Sequence, residues 1–273
     1  VLYAGWTTGG LGLYGTDFAD VFDLKLAANQ WMQVSGGDGS DIFALNGAGL
    51  VRLDYRTAPT GIDINLATGT VTNDGFGNIE TIAGTTPVWE VRGTDFNDHI
   101  IGGDANESFI LRGGNDTLDG GAGTDVLGLG GDGASIDGTA DGNVENVSNV
   151  ETLRLTAEQA GAASIDMSEI EGLLNLDFDD FGTTNSITHA VTNLLDGATV
   201  TLGDPNDDTD GSTDLSLGFA TNSSANNMTL ELEGVNVGAI TDANGFVDDV
   251  TIQSNDDDGG NGDANVIDDI SGF

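Results

Sequence analysis

Residues 93–128 read GTDFNDHII (93–101), GGDANESFI (102–110), LRGGNDTLD (111–119) and GGAGTDVLG (120–128), four consecutive units of nine without an insertion. Position six is acidic in each: Asp98, Glu107, Asp116, Asp125. Position eight is apolar: Ile100, Phe109, Leu118, Leu127. A fixed period of this kind marks a repeat architecture and takes precedence over local propensities. Working outward, GGDGSDIFA (36–44) fits the same unit with Asp41 and Phe43, and GTDFADVFD (15–23) fits with Asp20 and Phe22. GTDFADVFD closely echoes GTDFNDHII, which points to internal duplication. LGGDGASID (129–137) and GGNGDANVI (259–267) keep the apolar position, as Ile136 and Val266, but carry Ala134 and Ala264 where the acid belongs.

The unit has a chemical logic. Glycines admit positive φ and let the backbone turn tightly with carbonyls facing inward. The acid at the end of the turn adds a hard anionic oxygen, and carbonyl plus carboxylate oxygens are the ligands Ca²⁺ takes, six to eight of them. The three residues after the acid then form a short strand with its middle side chain inward. Two units make one full coil, so turns on the same side stand 18 residues apart. Asp98 is expected against Asp116 and Glu107 against Asp125, each pair holding cations between coils. The candidate metal ligands are therefore Asp20, Asp41, Asp98, Glu107, Asp116 and Asp125. With them go the turn residues Gly36, Gly37, Gly39, Gly102, Gly103, Gly113, Gly114, Gly120, Gly121 and Gly123, and the position-three acids Asp38, Asp95 and Asp104.

Charge arithmetic agrees. The 273 residues hold 6 Lys and Arg against 46 Asp and Glu, a formal net charge of -40. The last basic residue is Arg154, so residues 155–273 carry 24 carboxylates and no positive side chain. Such a chain cannot neutralise phosphates, which excludes nucleic acid and an anionic membrane surface as partners. A compact state at neutral pH needs salt, protonation or bound cations. Gly supplies 43 residues, roughly twice the usual ~7%, whereas only 3 Pro are present. The absence of Cys removes disulfides and thiolate metal sites. No apolar run approaches the ~20 residues of a membrane span. No signal peptide is visible and the chain begins at Val1, as expected of a processed product or a fragment.

The nonapeptides resemble those of the RTX (repeats-in-toxin) calcium-binding proteins, whose signature is GGxGxDxUx. Residues 61–71 (GIDINLATGTV), 78–82 (NIETI) and 90–98 (EVRGTDFND) also look like the segment that leads into such repeats. The resemblance implies a parallel β-roll, several Ca²⁺ ions, calcium-dependent folding, and type I secretion to the cell exterior. Glu107 and the displaced glycines of 111–119 depart from the family pattern.

From Asn143 the pattern changes to alternating runs separated by Asp, Asn, Gly, Thr and Ser: VETLRLT (150–156), ASIDMS (163–168), LLNLDF (173–178), SITHAV (186–191), ATVTL (198–202), DLSLGF (214–219), MTLELEGVNV (228–237) and DVTIQS (249–254). These read as half-buried strands, in a continuing solenoid rather than a sandwich. A helix of one or two turns is expected only around Ala157–Ala163. The style of this half is similar to RTX-type bacterial surface-layer proteins, which implies calcium-dependent assembly. The acid runs at 204–214 and 255–263 match no EF-hand loop, and are read either as solvated loops or as weak calcium sites.

The expectation is an all-β protein: an RTX-like β-roll over 1–140 and an acidic β-solenoid-like region over 141–273. Its role is read as a non-catalytic, calcium-binding structural component of the cell exterior with lattice neighbours of its own kind. No nucleophile elbow, P-loop or Rossmann fingerprint is present, and His99 and His189 fall on strands. Two rivals stay open. One is a carbohydrate-binding module of a polysaccharide-modifying enzyme, with Tyr3, Trp6, Tyr14, Trp31, Tyr55 and Trp89 as a face for a cell-surface glycan. The other is the repeat tail of a secreted toxin or hydrolase.

Overall fold

The computed structural model describes residues 11–129, 135–136, 146–155, 164–171, 173–178, 188–203, 213–219, 226–233, 236–242, 249–255 and 266–271. The chain divides into two compact units, Val1–Leu127 with Gly142–Val150, and Gly128–Asp141 with Glu151–Phe273. The described residues are all-β apart from one 3₁₀ turn, Met167–Glu169, capped by the Asp166 carboxylate, which accepts the Ser168 N–H.

In the first unit the chain alternates between two sheets, one strand per sheet, as a coil of solenoid type does. One sheet pairs Leu11–Tyr14, Trp31–Ser35, Leu50–Asp54, Val88–Arg92 and Ser108–Leu111 in parallel in that order. In the other, Val21–Leu26, Ile42–Gly47 and Glu80–Gly84 are parallel neighbours. So are Asp63–Asn65, His99–Ile101, Thr117–Asp119 and Asn146–Ser148. Between these two stacks runs Thr70–Asn73, antiparallel to both Asp63–Asn65 and Glu80–Gly84. Residues 61–84 therefore form a three-strand antiparallel bridge within an otherwise parallel sheet. The local cause is legible: Asp74 accepts from the backbone N–H of Phe76 and Asn78 (2.8 Å each), which closes a tight turn at Asp74–Asn78.

Each strand buries one face. Val21–Leu26 alternates strictly, with Phe22, Leu24 and Leu26 inside. The position-eight side chains Phe43, Ile100, Phe109, Leu118 and Leu127 are all buried. Phe22 and Phe43, in register on adjacent coils, stack with ring centroids 5.3 Å apart. Parallel strands usually need helices to return the chain. Here, outside the bridge, turns among the described residues lead within a few residues into a strand of the opposite sheet, so no helix is needed to return the chain.

The second unit repeats this plan with longer strands. One sheet pairs Thr152–Leu155, Asn175–Phe178, Ala198–Gly203, Asn227–Glu233 and Asp249–Asn255 in parallel. The other pairs Ser135–Ile136, Ser164–Asp166, Thr188–Leu194, Thr213–Phe219, Asn236–Asp242 and Val266–Ser271 in parallel. Leu153, Leu176, Val200 and Leu230 form one buried column down the first of these sheets. Parallel neighbours throughout favour the solenoid over a sandwich, whose sheets are antiparallel. The run 228–237 divides between two strands of different sheets, and Val266–Ser271 is a strand the sequence reading did not assign. The helix expected at 157–163 and nearly all of the two acid runs lie outside the described residues.

Candidate metal centre

The 18-residue spacing is seen directly in hydrogen bonds. Asp116 Oδ1 accepts the backbone N–H of Asp98 at 2.8 Å, and Asp125 Oδ1 accepts that of Glu107 at 2.8 Å. Asp41 Oδ1 accepts the Asp20 N–H at 2.8 Å, and Asp98 Oδ1 accepts the Ile62 N–H at 3.0 Å. Asp41, Asp98, Asp116 and Asp125 thus each clip the coil before them with one oxygen. Position five ties the coils in the opposite sense: Asn97 and Asn106 accept the N–H groups of Asn115 and Thr124 on the coil that follows, again 18 residues on.

The second carboxylate oxygen separates the turns into two kinds. In the two Gly-Thr turns it is satisfied from within. Thr16 donates its N–H (2.7 Å) and hydroxyl (2.9 Å) to Asp20 Oδ2. Thr94 donates its N–H to Asp98 Oδ2 and its hydroxyl to Asp98 Oδ1, both at 2.8 Å. In the turns ending at Asp41 and Asp116 no such donor exists, and Asp41 Oδ2 and Asp116 Oδ2 are buried without a hydrogen-bond partner. Glu107 lies between these cases, with one long contact from the Gly103 N–H at 3.3 Å.

Burial sets the electrostatics. Desolvation raises the proton affinity of Asp116 and Glu107 to pKa values of about 7, against 3.8 and 4.5 for the free side chains. Asp41 and Asp98 shift upward for the same reason. A buried carboxylate kept ionised needs a partner charge. The arginines do not supply it. Arg52 and Arg92 pair with Glu90, Arg56 with Asp54, Arg112 with Asp95 and Arg154 with Asp177, none of which is a position-six acid.

The glycines are dictated by the spacing of the coils. A Cβ on Gly102 would lie 1.8 Å from the Gly120 carbonyl oxygen, and one on Gly120 would lie 2.0 Å from that of Asn149. Gly37, Gly39, Gly114, Gly121 and Gly123 all have positive φ, and a Cβ on any of them would strike backbone of the neighbouring turn. Gly103 and Gly113 have more room, and a Cβ on Gly36 would run into carboxylate oxygens. The position-three acids behave differently from those at position six. Asp38 is exposed and accepts from Asn78 Nδ2, Asp95 is exposed and paired with Arg112, and Asp104 is exposed.

Two acids of this region, Glu80 and Asp74, escaped the sequence reading. Glu80 stands beside Asp41 in register, since Ile42–Gly47 pairs with Glu80–Gly84 through Ile42 and Thr81. It is buried, accepts the Tyr55 hydroxyl at 2.7 Å on one oxygen, and leaves the other, Oε1, without a partner. Burial raises its pKa to about 8 and drives that of Tyr55 well above 10.0. Asp74 is buried nearby, with its oxygens held by its own turn. The available signal was GFGNIETIA (75–83), which has Gly at position one, an acid at six and Ile at eight, but lacks the paired glycines.

The remaining candidates are placed as follows. His99 is exposed and contacts Asp63 through Nδ1 at 3.0 Å. Trp31 and Trp89 flank the Arg52 guanidinium at 5.0 and 5.2 Å, so the space between the two indoles is filled. Tyr55 is buried and Tyr14 exposed, while Tyr3 and Trp6 lie outside the described residues. No described helix is long and apolar enough to cross a membrane. No family model matches the chain, and no curated protein matches it either.

Proposed function

We propose that this chain is a non-catalytic, calcium-binding structural protein of the cell exterior, of the RTX kind, whose first unit is a β-roll that closes on binding several Ca²⁺ ions. The observation that carries this reading is the pair of open carboxylates: Asp41 Oδ2 and Asp116 Oδ2 are buried, unpartnered, and set in glycine turns stacked coil on coil. A divalent cation supplies the missing partner where calcium is millimolar, as outside cells. Where calcium is scarce, self-repulsion among 46 acids keeps the chain expanded. Glu107 and Asp125 complete the carboxylate set, with turn carbonyls as the neutral ligands, whereas Asp20 and Asp98 are already saturated by Thr16 and Thr94. The exterior location and assembly into a surface layer or matrix follow from this calcium coupling and from the resemblance of the repeats.

The test is a calcium titration after chelation, followed by far-UV circular dichroism and light scattering, with magnesium as the control. A cooperative rise of β signal with calcium alone is expected, and concurrent scattering marks assembly. A β signal indifferent to chelator overturns the reading.

A further inference from the structure

The stack Asp20, Asp41, Glu80 ends on a residue that belongs to no recognised repeat unit. Its surroundings are nevertheless those of a ligand site. A Cβ placed on Gly36 would lie 2.2 Å from Asp41 Oδ2 and 2.5 Å from Glu80 Oε1. Two oxygens from separate carboxylates therefore converge over the α-carbon of one glycine, in space that any other residue would fill. Both side chains are 1% exposed, and neither of these oxygens has a hydrogen-bond partner.

The other oxygen of each carboxylate is fixed, by the Asp20 N–H on Asp41 and by the Tyr55 hydroxyl on Glu80. The two free oxygens thus cannot rotate away from each other without breaking a buried hydrogen bond. Ionised together, two carboxylates so placed would repel strongly in a low-dielectric setting. No described basic side chain pairs with either of them.

We propose that Asp41 and Glu80 bind one divalent cation of calcium's class between them, with Tyr55 as the residue that positions Glu80. This deepens the calcium reading above and rests on it. Two oxygens that each lie within 2.5 Å of one point beside the Gly36 α-carbon are close enough together for a single ion, set away from that carbon, to touch both at the ~2.3–2.6 Å of a calcium–oxygen bond. Two carboxylates also match the ion's charge, which the single open oxygen of Asp116 does not. The antiparallel bridge thereby closes this turn stack in place of a further nonapeptide.

The experiment is equilibrium dialysis of ⁴⁵Ca²⁺ against the whole chain and its Glu80→Gln variant, with Asp116→Asn as a reference for a different turn. Glu80→Gln should bind one ion fewer per chain than the parent, and combining it with Asp116→Asn should lower binding further. Tyr55→Phe should keep the ion count and weaken a single site by about 10- to 100-fold, the usual cost of losing a partner that orients a ligand. That variant also decides the matter if Glu80→Gln does not fold. Unchanged stoichiometry in Glu80→Gln, or unchanged affinities in Tyr55→Phe, overturns the Asp41–Glu80 site while leaving calcium binding by the repeats intact. A parent chain that binds no calcium overturns the broader reading instead.

Discussion

The turns at 93–98 and 36–41 share a period and an acid at position six, yet they differ in the donors they bring to that acid. In GTDFND, Thr94 saturates the Asp98 carboxylate from inside the turn. In GGDGSD, Gly37 has no side chain to offer, and Asp41 keeps an oxygen open. The Gly-Thr turn is self-sufficient, as a capped helix end is. The Gly-Gly turn leaves a buried carboxylate oxygen without a donor. A repeat that looks uniform in sequence thus contains turns that satisfy their own acid and turns that leave it open.

Breaking this distinction is a matter of paired substitutions. Asp41→Asn with Asp116→Asn should raise the calcium midpoint of folding by about ten-fold or more, because affinity follows the charge count of the ligands. Asp20→Asn with Asp98→Asn should move that midpoint by less than about two-fold, and should instead lower the melting temperature in saturating calcium. Equal shifts of the midpoint from the two pairs would erase the difference between the turn types.

The pH dependence sharpens the same contrast. Glu80, Glu107 and Asp116 have folded-state pKa values of about 8, 7 and 7, above free values of 4.5, 4.5 and 3.8. The folded chain therefore binds protons more tightly than the unfolded one. Their contribution to calcium-free stability is fully present below the free values and is lost as pH rises through 7 to 8. Thermal melts in chelator should accordingly fall from pH 5 to pH 8. In calcium the trend should reverse, since the ion binds the deprotonated form. Melts that do not respond to pH in chelator would mean that these carboxylates are solvated.

The smallest effect is expected from Thr94→Val, which removes the hydroxyl but keeps the shape. Losing a hydrogen bond to a buried carboxylate should cost about 1.5 kcal/mol in calcium-free urea melts. Asp98 Oδ2 keeps the Thr94 N–H and Oδ1 keeps the Ile62 N–H, so the turn stays closed and the loss should be the same with and without calcium. Recovery of the loss by saturating calcium would instead show that the hydroxyl had kept an ion out of this turn.

How much of this was written in the sequence depends on the range of the interaction. The nine-residue period located the turns, and its doubling located the contacts Asp98–Asp116 and Glu107–Asp125, because coil length fixes which residues meet. Position eight named the inward side chains Ile100, Phe109, Leu118 and Leu127 for the same reason. Asp38, Asp95 and Asp104 share the acidity of the position-six residues, but the turn points them outward to Asn78, Arg112 and solvent. Glu80 carried only a degenerate version of the motif.

The sequence by itself determined that the chain is all-β, that its acids outnumber any internal partners, and where tight turns must fall. These follow from local sterics and from charge counting, which need no knowledge of neighbours. Only the tertiary structure decided which carboxylate oxygens remain open. That depends on whether a threonine hydroxyl, the backbone N–H of another coil, or a tyrosine 25 residues away reaches each oxygen first. It also decided that the bridge at 61–84 runs antiparallel and delivers Glu80 to Asp41, a meeting between strands 39 positions apart in register that no period of nine or eighteen predicts.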